Sequence, residues 1–117
     1  MGSGRVAEAI ALIEEVFSTE NFAQAAHLKA LTRRIQAQAF AKLERTGKAA
    51  TAFEMAIAEL DRLGSRLELG RAHCHRAEML RDIGKFEQAR VDAEHAINIL
   101  DSCGAKGDIR RAQALLA

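Results

Sequence analysis

The chain has 117 residues, 49% apolar and 28% charged, the balance of one globular domain rather than of a disordered tail. Seventeen basic against sixteen acidic residues leave a formal charge of +1, too little to hold nucleic acid or an anionic membrane by field alone. Proline, tryptophan and tyrosine are all absent, so no base-stacking platform is available beyond five phenylalanines.

No apolar run approaches the roughly 20 residues that a membrane-spanning helix needs. Met1-Gly2-Ser3-Gly4 lacks the basic start and apolar centre of a secretory signal. It reads as a cloning remnant, and Gly2 alone is weak grounds for myristoylation. Cys74 and Cys103 are too few for a disulfide framework and fit a reducing compartment. The expected setting is the cytoplasm.

Alanine-rich, proline-free sequence predicts helix throughout. Helices are expected over about 4–17, 21–45, 48–63, 66–83, 85–102 and 108–116. Val6, Ile10, Ile13 and Phe17 form the apolar stripe of the first. Asn21 with Gln24 has capping-box spacing at the start of the second, and Gly47 is the expected left-handed stop at its end. Ala49, Ala52, Phe53, Ala56, Ile57, Leu60 and Leu63 share one face of the third, which Gly64 closes. Ser65 with Glu68 repeats the capping-box spacing before the fourth helix, and Gly84 ends it. Phe86, Ala89, Ala93, Ala96, Ile97 and Leu100 make the stripe of the fifth, closed by Gly104, and Asp108 is placed to cap the last. Connections this short force antiparallel neighbours.

The segment AIAELDRLGSRLELGRA (56–72) repeats as AINILDSCGAKGDIRRA (96–112), with seven identities in 17 positions. The identities fall at packing and capping sites, which marks a helix-hairpin unit that stacks on its neighbours. The stretch GRAHCHRAEMLRDIGKFEQARVDAEHAINIL resembles a tetratricopeptide repeat. Ala77 stands at the small position of the first helix, Leu80 at the following packing position and Gly84 at the turn. Phe86, Ala89 and Ala96 stand at the aromatic and small positions of the second helix. An earlier unit spans about 27–64 with its turn at Gly47, and departs from the pattern at Phe40, where a small residue is expected. The spacing is similar to the longer-helix variety found in bacterial signalling proteins, often behind an ATPase or cyclase domain, and LDSCGAKGDIRRAQALL looks like a closing half-repeat.

The resemblance implies an all-α fold: one domain over 1–117, its six helices stacked as a short right-handed solenoid. It implies a protein-binding role, with a partner peptide or helix in the concave groove, as an adaptor or a C-terminal piece of a larger signalling or regulatory protein. The alternative is self-association, a homodimer being its simplest form. Carried over by register from the turn glycines, the groove would be lined by Arg71, Cys74, Glu78, Arg81 and Asp82 in the fourth helix. In the second it would be lined by Arg34, Ala37, Ala41, Glu44 and Arg45. On the same register Arg34, Arg71 and Arg111 recur in successive repeats, a row suited to an acidic ligand. The competing reading has these arginines solvated or paired with neighbouring acids.

No enzyme motif appears, and no cofactor, nucleic acid or membrane is expected. His73-Cys74-His75 is the one metal-like string, but adjacent helical residues diverge by about 100°, so His73 and His75 point nearly oppositely. His73 falls among Leu69, Ala77 and Leu80 and is expected to pack with one hydrogen bond, so no metal site is assigned. Cys74 has no histidine base oriented toward it. Val91, His95 and Ile99 form a half-apolar outer row suited either to self-association or to packing on a neighbouring helix.

Overall fold

The computed structural model describes residues 3–16 and 22–116. Among them the chain is all-helical: α1 (Ser3–Val16), α2 (Phe22–Lys42), α3 (Thr46–Leu63), α4 (Arg66–Asp82), α5 (Phe86–Cys103) and α6 (Lys106–Ala114). No described helix is long and apolar enough to cross a membrane. Two compact units divide the chain, Met1–Glu59 and Leu60–Ala117. The expected Asn21–Gln24 capping box and the side chains of Ile13 and Phe17 lie outside the described residues.

In the first unit α1 packs on α2. Ala30, Ala37, Ala49, Phe53 and Ala56 are fully buried, so alanine supplies most of the core positions and Phe53 much of the volume. The Lys48 ammonium lies 5.8 Å from the centre of the Phe40 ring. In the second unit α5 packs along α4 and also against α6, which touches α4 in turn. Cys74, Ala96, Leu100 and Ala112 form the shared core of these three helices, with Ile97, Ala105, Ile109 and Leu115 around it.

Every described helix end from α2 to α5 closes in the same way. The amide of the left-handed residue donates to the carbonyl three back, and the next amide donates to the carbonyl five back. The pairs are Glu44 to Ala41 and Arg45 to Phe40, then Gly64 to Asp61 and Ser65 to Leu60. Gly84 to Arg81 with Lys85 to Leu80, and Gly104 to Asp101 with Ala105 to Leu100, complete the set. This two-bond closure satisfies carbonyls that the helix leaves orphaned. Three of the four turn residues are glycine, at φ 70°, 86° and 69°. The fourth is not Gly47, as the sequence led us to expect, but Glu44 at φ 60°. Gly47 instead lies in the first turn of α3.

A left-handed non-glycine residue costs about 1–2 kcal/mol. Glu44→Gly is therefore expected to stabilise the protein by about 1 kcal/mol, read as a higher urea midpoint with an unchanged slope. A lower midpoint would mean that the Glu44 side chain contributes more than its backbone conformation costs.

Correcting this turn fixes the register. The ends of α2 and α4, the whole of α3 and α5, and the starts of α4 and α6 all correspond at an offset of 40 residues. Equivalent positions share their burial: Ala37 and Ala77, Ala56 and Ala96, Leu60 and Leu100, and Ala72 and Ala112 are each 0% exposed.

Other expectations change. The side chain of Ser65 makes no capping hydrogen bond at α4, where Glu68 pairs instead with Arg71. Helix α6 starts two residues earlier than expected, with Ala105 at its cap, so Asp108 sits inside the first turn. Phe86 is 66% exposed at the start of α5 and is not part of its buried stripe.

Candidate functional site

Two polar constellations, both in the second unit, organise the surfaces of α4. The first lies in the seam between α4 and α5. Asp92 occupies the i+3 position after Ala89 in the buried stripe of α5 and is only 5% exposed. A buried carboxylate is tolerated only when donors surround it. Arg76 supplies two, from Nε to Oδ2 at 2.5 Å and from Nη2 to Oδ1 at 2.7 Å. His73 Nδ1 approaches Oδ1 at 2.9 Å. Burial alone would push the Asp92 carboxyl up, but the hydrogen bonds from Arg76 and then His73 outweigh it and hold it below its ordinary value. An ionised carboxylate only accepts, so His73 Nδ1 carries the hydrogen. His73 is thus packed with a hydrogen bond, and its ring also lies 5.5 Å from that of His95, tilted by 43°.

The second constellation joins α4 to α6 and contains two of the predicted arginines. Arg71 bonds Glu68 at 2.9 Å and reaches Asp108 through Nε at 3.3 Å and Nη2 at 3.4 Å. The Asp108 hydrogen bond raises the Arg71 pKa above its ordinary value, against the effect of burial. Arg111 grips Glu78, with Nη2 2.9 Å from Oε1 and Nε 3.2 Å from Oε2. His75 Nδ1 is 3.2 Å from the same carboxylate. Burial would push the Glu78 carboxyl up, but bonds from His75 and Arg111 win and hold it low. Arg71 and Arg111 are therefore each paired with neighbouring acids, as the competing reading of the sequence has it. Counting Arg81 and Asp82, three arginines meet four carboxylates on this side of α4 and α6, so no cationic row exists there.

The remaining predicted groove residues separate. Arg81 and Asp82 are exposed at the end of α4. Cys74 is 3% exposed and packs in the core against Ala96, Leu100 and Ala112, so it lines no open groove. Burial, then the Glu78 charge, pushes its thiol up to about 11. Native protein at pH 8 is accordingly expected to release one equivalent of thionitrobenzoate from Ellman's reagent, from exposed Cys103, and two only after unfolding. Fast reaction of both thiols in the native state would contradict this packing.

Arg34 leaves the proposed row altogether. With the α2 turn at Glu44, the equivalent of Arg71 is Leu31, and Arg34 corresponds to Cys74. Arg34 bonds Gln38 at 3.2 Å along its own helix. Ala37 is buried, and Glu44 and Arg45 lie beyond the end of α2.

Sequence reasoning missed Arg76 and Asp92. The available signal was an aspartate interrupting an alanine stripe opposite a helix carrying histidine and arginine. Among the described residues, no group of three or more histidine, cysteine or acidic side chains converges as a metal site. No protein-family model matches the chain, and comparison with curated proteins and with solved structures found no match.

Proposed function

We propose that this chain is a tetratricopeptide-type module that binds a partner peptide or helix along the α4 side of its second unit. The observation that carries the reading is the 40-residue register, in which helix bounds, left-handed turns and buried alanines recur together. Such regularity is what stacked hairpins require, and stacked hairpins present preformed faces on which a segment docks at low ordering cost. Because Arg71, Arg111 and Glu78 are engaged with one another and with neighbouring side chains, the ligand is one of mixed charge, read by the exposed Arg81 and Asp82.

The test uses the exposed pair, whose exchange leaves the ion-pair ladder intact. A partner captured from lysate by the wild type and lost by Arg81→Asp/Asp82→Arg, with an unchanged melting curve, supports the reading. Equal capture by both would remove this face from consideration. Self-association is the second reading, favoured by the 66% exposure of Phe86 and 53% of Val91. Sedimentation equilibrium separates the two, since a homo-oligomer dissociates on dilution.

A further inference from the structure

The α4–α5 seam holds an arrangement that the helix-by-helix reading of His73 and His75 excluded and that forms instead across two helices. We infer that His73 and His95 are a two-point clip for an imidazole-seeking divalent metal ion, with Zn²⁺ as the probe. Three features converge on it. The rings come from different helices, their centroids 5.5 Å apart. Two imidazoles at about 2.1 Å on one tetrahedral ion would place their centroids about 5 Å apart. The ring centroids thus already stand at about the separation that a shared ion would set.

Next, the first ligand is oriented. His73 Nδ1 donates to Asp92, whose carboxylate is fixed by Arg76, so that the ring in its neutral form carries its lone pair on Nε2. A carboxylate behind a histidine is the usual second-layer support of a metal-bound imidazole, and it raises ligand basicity. Finally, access is one-sided: His73 is buried, whereas His95 is exposed, so an ion can enter from solvent and keep water at its remaining positions. Two nitrogen donors favour Cu²⁺, Ni²⁺ or Zn²⁺ over Mg²⁺ or Ca²⁺, which prefer oxygen. The site would tie α4 to α5 and so couple ion binding to the stability of the second unit.

The test is thermal melting of tag-free full-length protein with ZnCl₂ or MgCl₂. At a zinc concentration ten times the dissociation constant, linkage predicts a midpoint rise of roughly 5 °C, reversed by EDTA and absent with magnesium. His95→Ala, at an exposed position, should melt like the wild type without zinc and lose the rise with it. Cys103→Ser and His75→Ala should each keep it. No rise in the wild type, a rise that survives His95→Ala, or one lost with Cys103 or His75 overturns the inference. Imidazole ¹⁵N resonances give a second reading: zinc should shift His73 and His95 together, and movement of other histidines alone would equally overturn it.

Discussion

Asp92→Ala is expected to cost about 3–5 kcal/mol, the usual penalty for removing one partner of a buried ion pair. The loss arises less from the missing bonds than from what remains. Arg76 and His73 would lose the carboxylate that both face in the α4–α5 seam, and a buried donor deprived of its acceptor costs desolvation. Replacing the pair together tests that account. Asp92→Leu with Arg76→Met removes the acceptor and the charged donors at once, and should recover much of the loss, because apolar side chains of similar volume suit a buried seam. If the double variant is as unstable as the single one, packing rather than electrostatics sets the cost.

The same carboxylate fixes the sign of the acid response. Its pKa in the folded chain is depressed, with burial opposing and Arg76 and His73 prevailing. A depressed acid contributes stability that is fully present above its unfolded value. That contribution is lost as pH falls below about 4 and through the folded value. Glu78 acts in the same direction, discounted because it is partly exposed. Urea midpoints should therefore decline from about pH 5 to pH 3 in the wild type, and decline less steeply in the Asp92→Leu/Arg76→Met variant.

What was legible in the sequence was whatever depends on local pattern. Three turns carry glycine at a left-handed position, the stripe of α5 is alanine and leucine at three-and-four spacing, and among the identities between 56–72 and 96–112 those of Ala56, Leu60 and Ala72 fall on buried sites and that of Gly64 on a turn. The turn at Glu44 was hidden because its residue opposes its conformation, while Gly47, three positions on, offered a decoy. That displacement of three residues is the whole reason Arg34 seemed to share a row with Arg71. Pairing across helices was illegible for a different reason. Arg76 and Asp92 are 16 residues apart, and Arg71 and Asp108 are 37 apart, so only docking of the helices reveals that the charges meet. Cys74 shows the same limit: it lies opposite Leu69 and Ala72 on the wheel, yet α5 and α6 bury that side as well.

Gly70 and Leu100 are expected to show strong coupling with a change of sign. Leu100 is fully buried, and Leu100→Ala should destabilise by about 3 kcal/mol through lost contacts and the cavity left behind. Gly70 lies inside α4, where alanine would gain roughly 1 kcal/mol of helix propensity. A Cβ there would meet Leu100 Cγ and Cδ2 at 2.7 Å, and Ile99 Cγ2 at 3.3 Å. The first contact is too close to stand and involves a side chain with no room to retreat, so overpacking costs about 1–3 kcal/mol and Gly70→Ala alone should be destabilising. In the Leu100→Ala background both 2.7 Å contacts disappear, and only Ile99 must yield by a few tenths of an ångström. There the same Gly70→Ala change should stabilise by about 0.5–1 kcal/mol. A four-point cycle of urea denaturation measures the coupling directly. If Gly70→Ala has the same sign in both backgrounds, then the closeness of α4 to α5 is not set by this glycine. The space would then be governed by neighbouring alanines, which the α5 stripe supplies at Ala93 and Ala96.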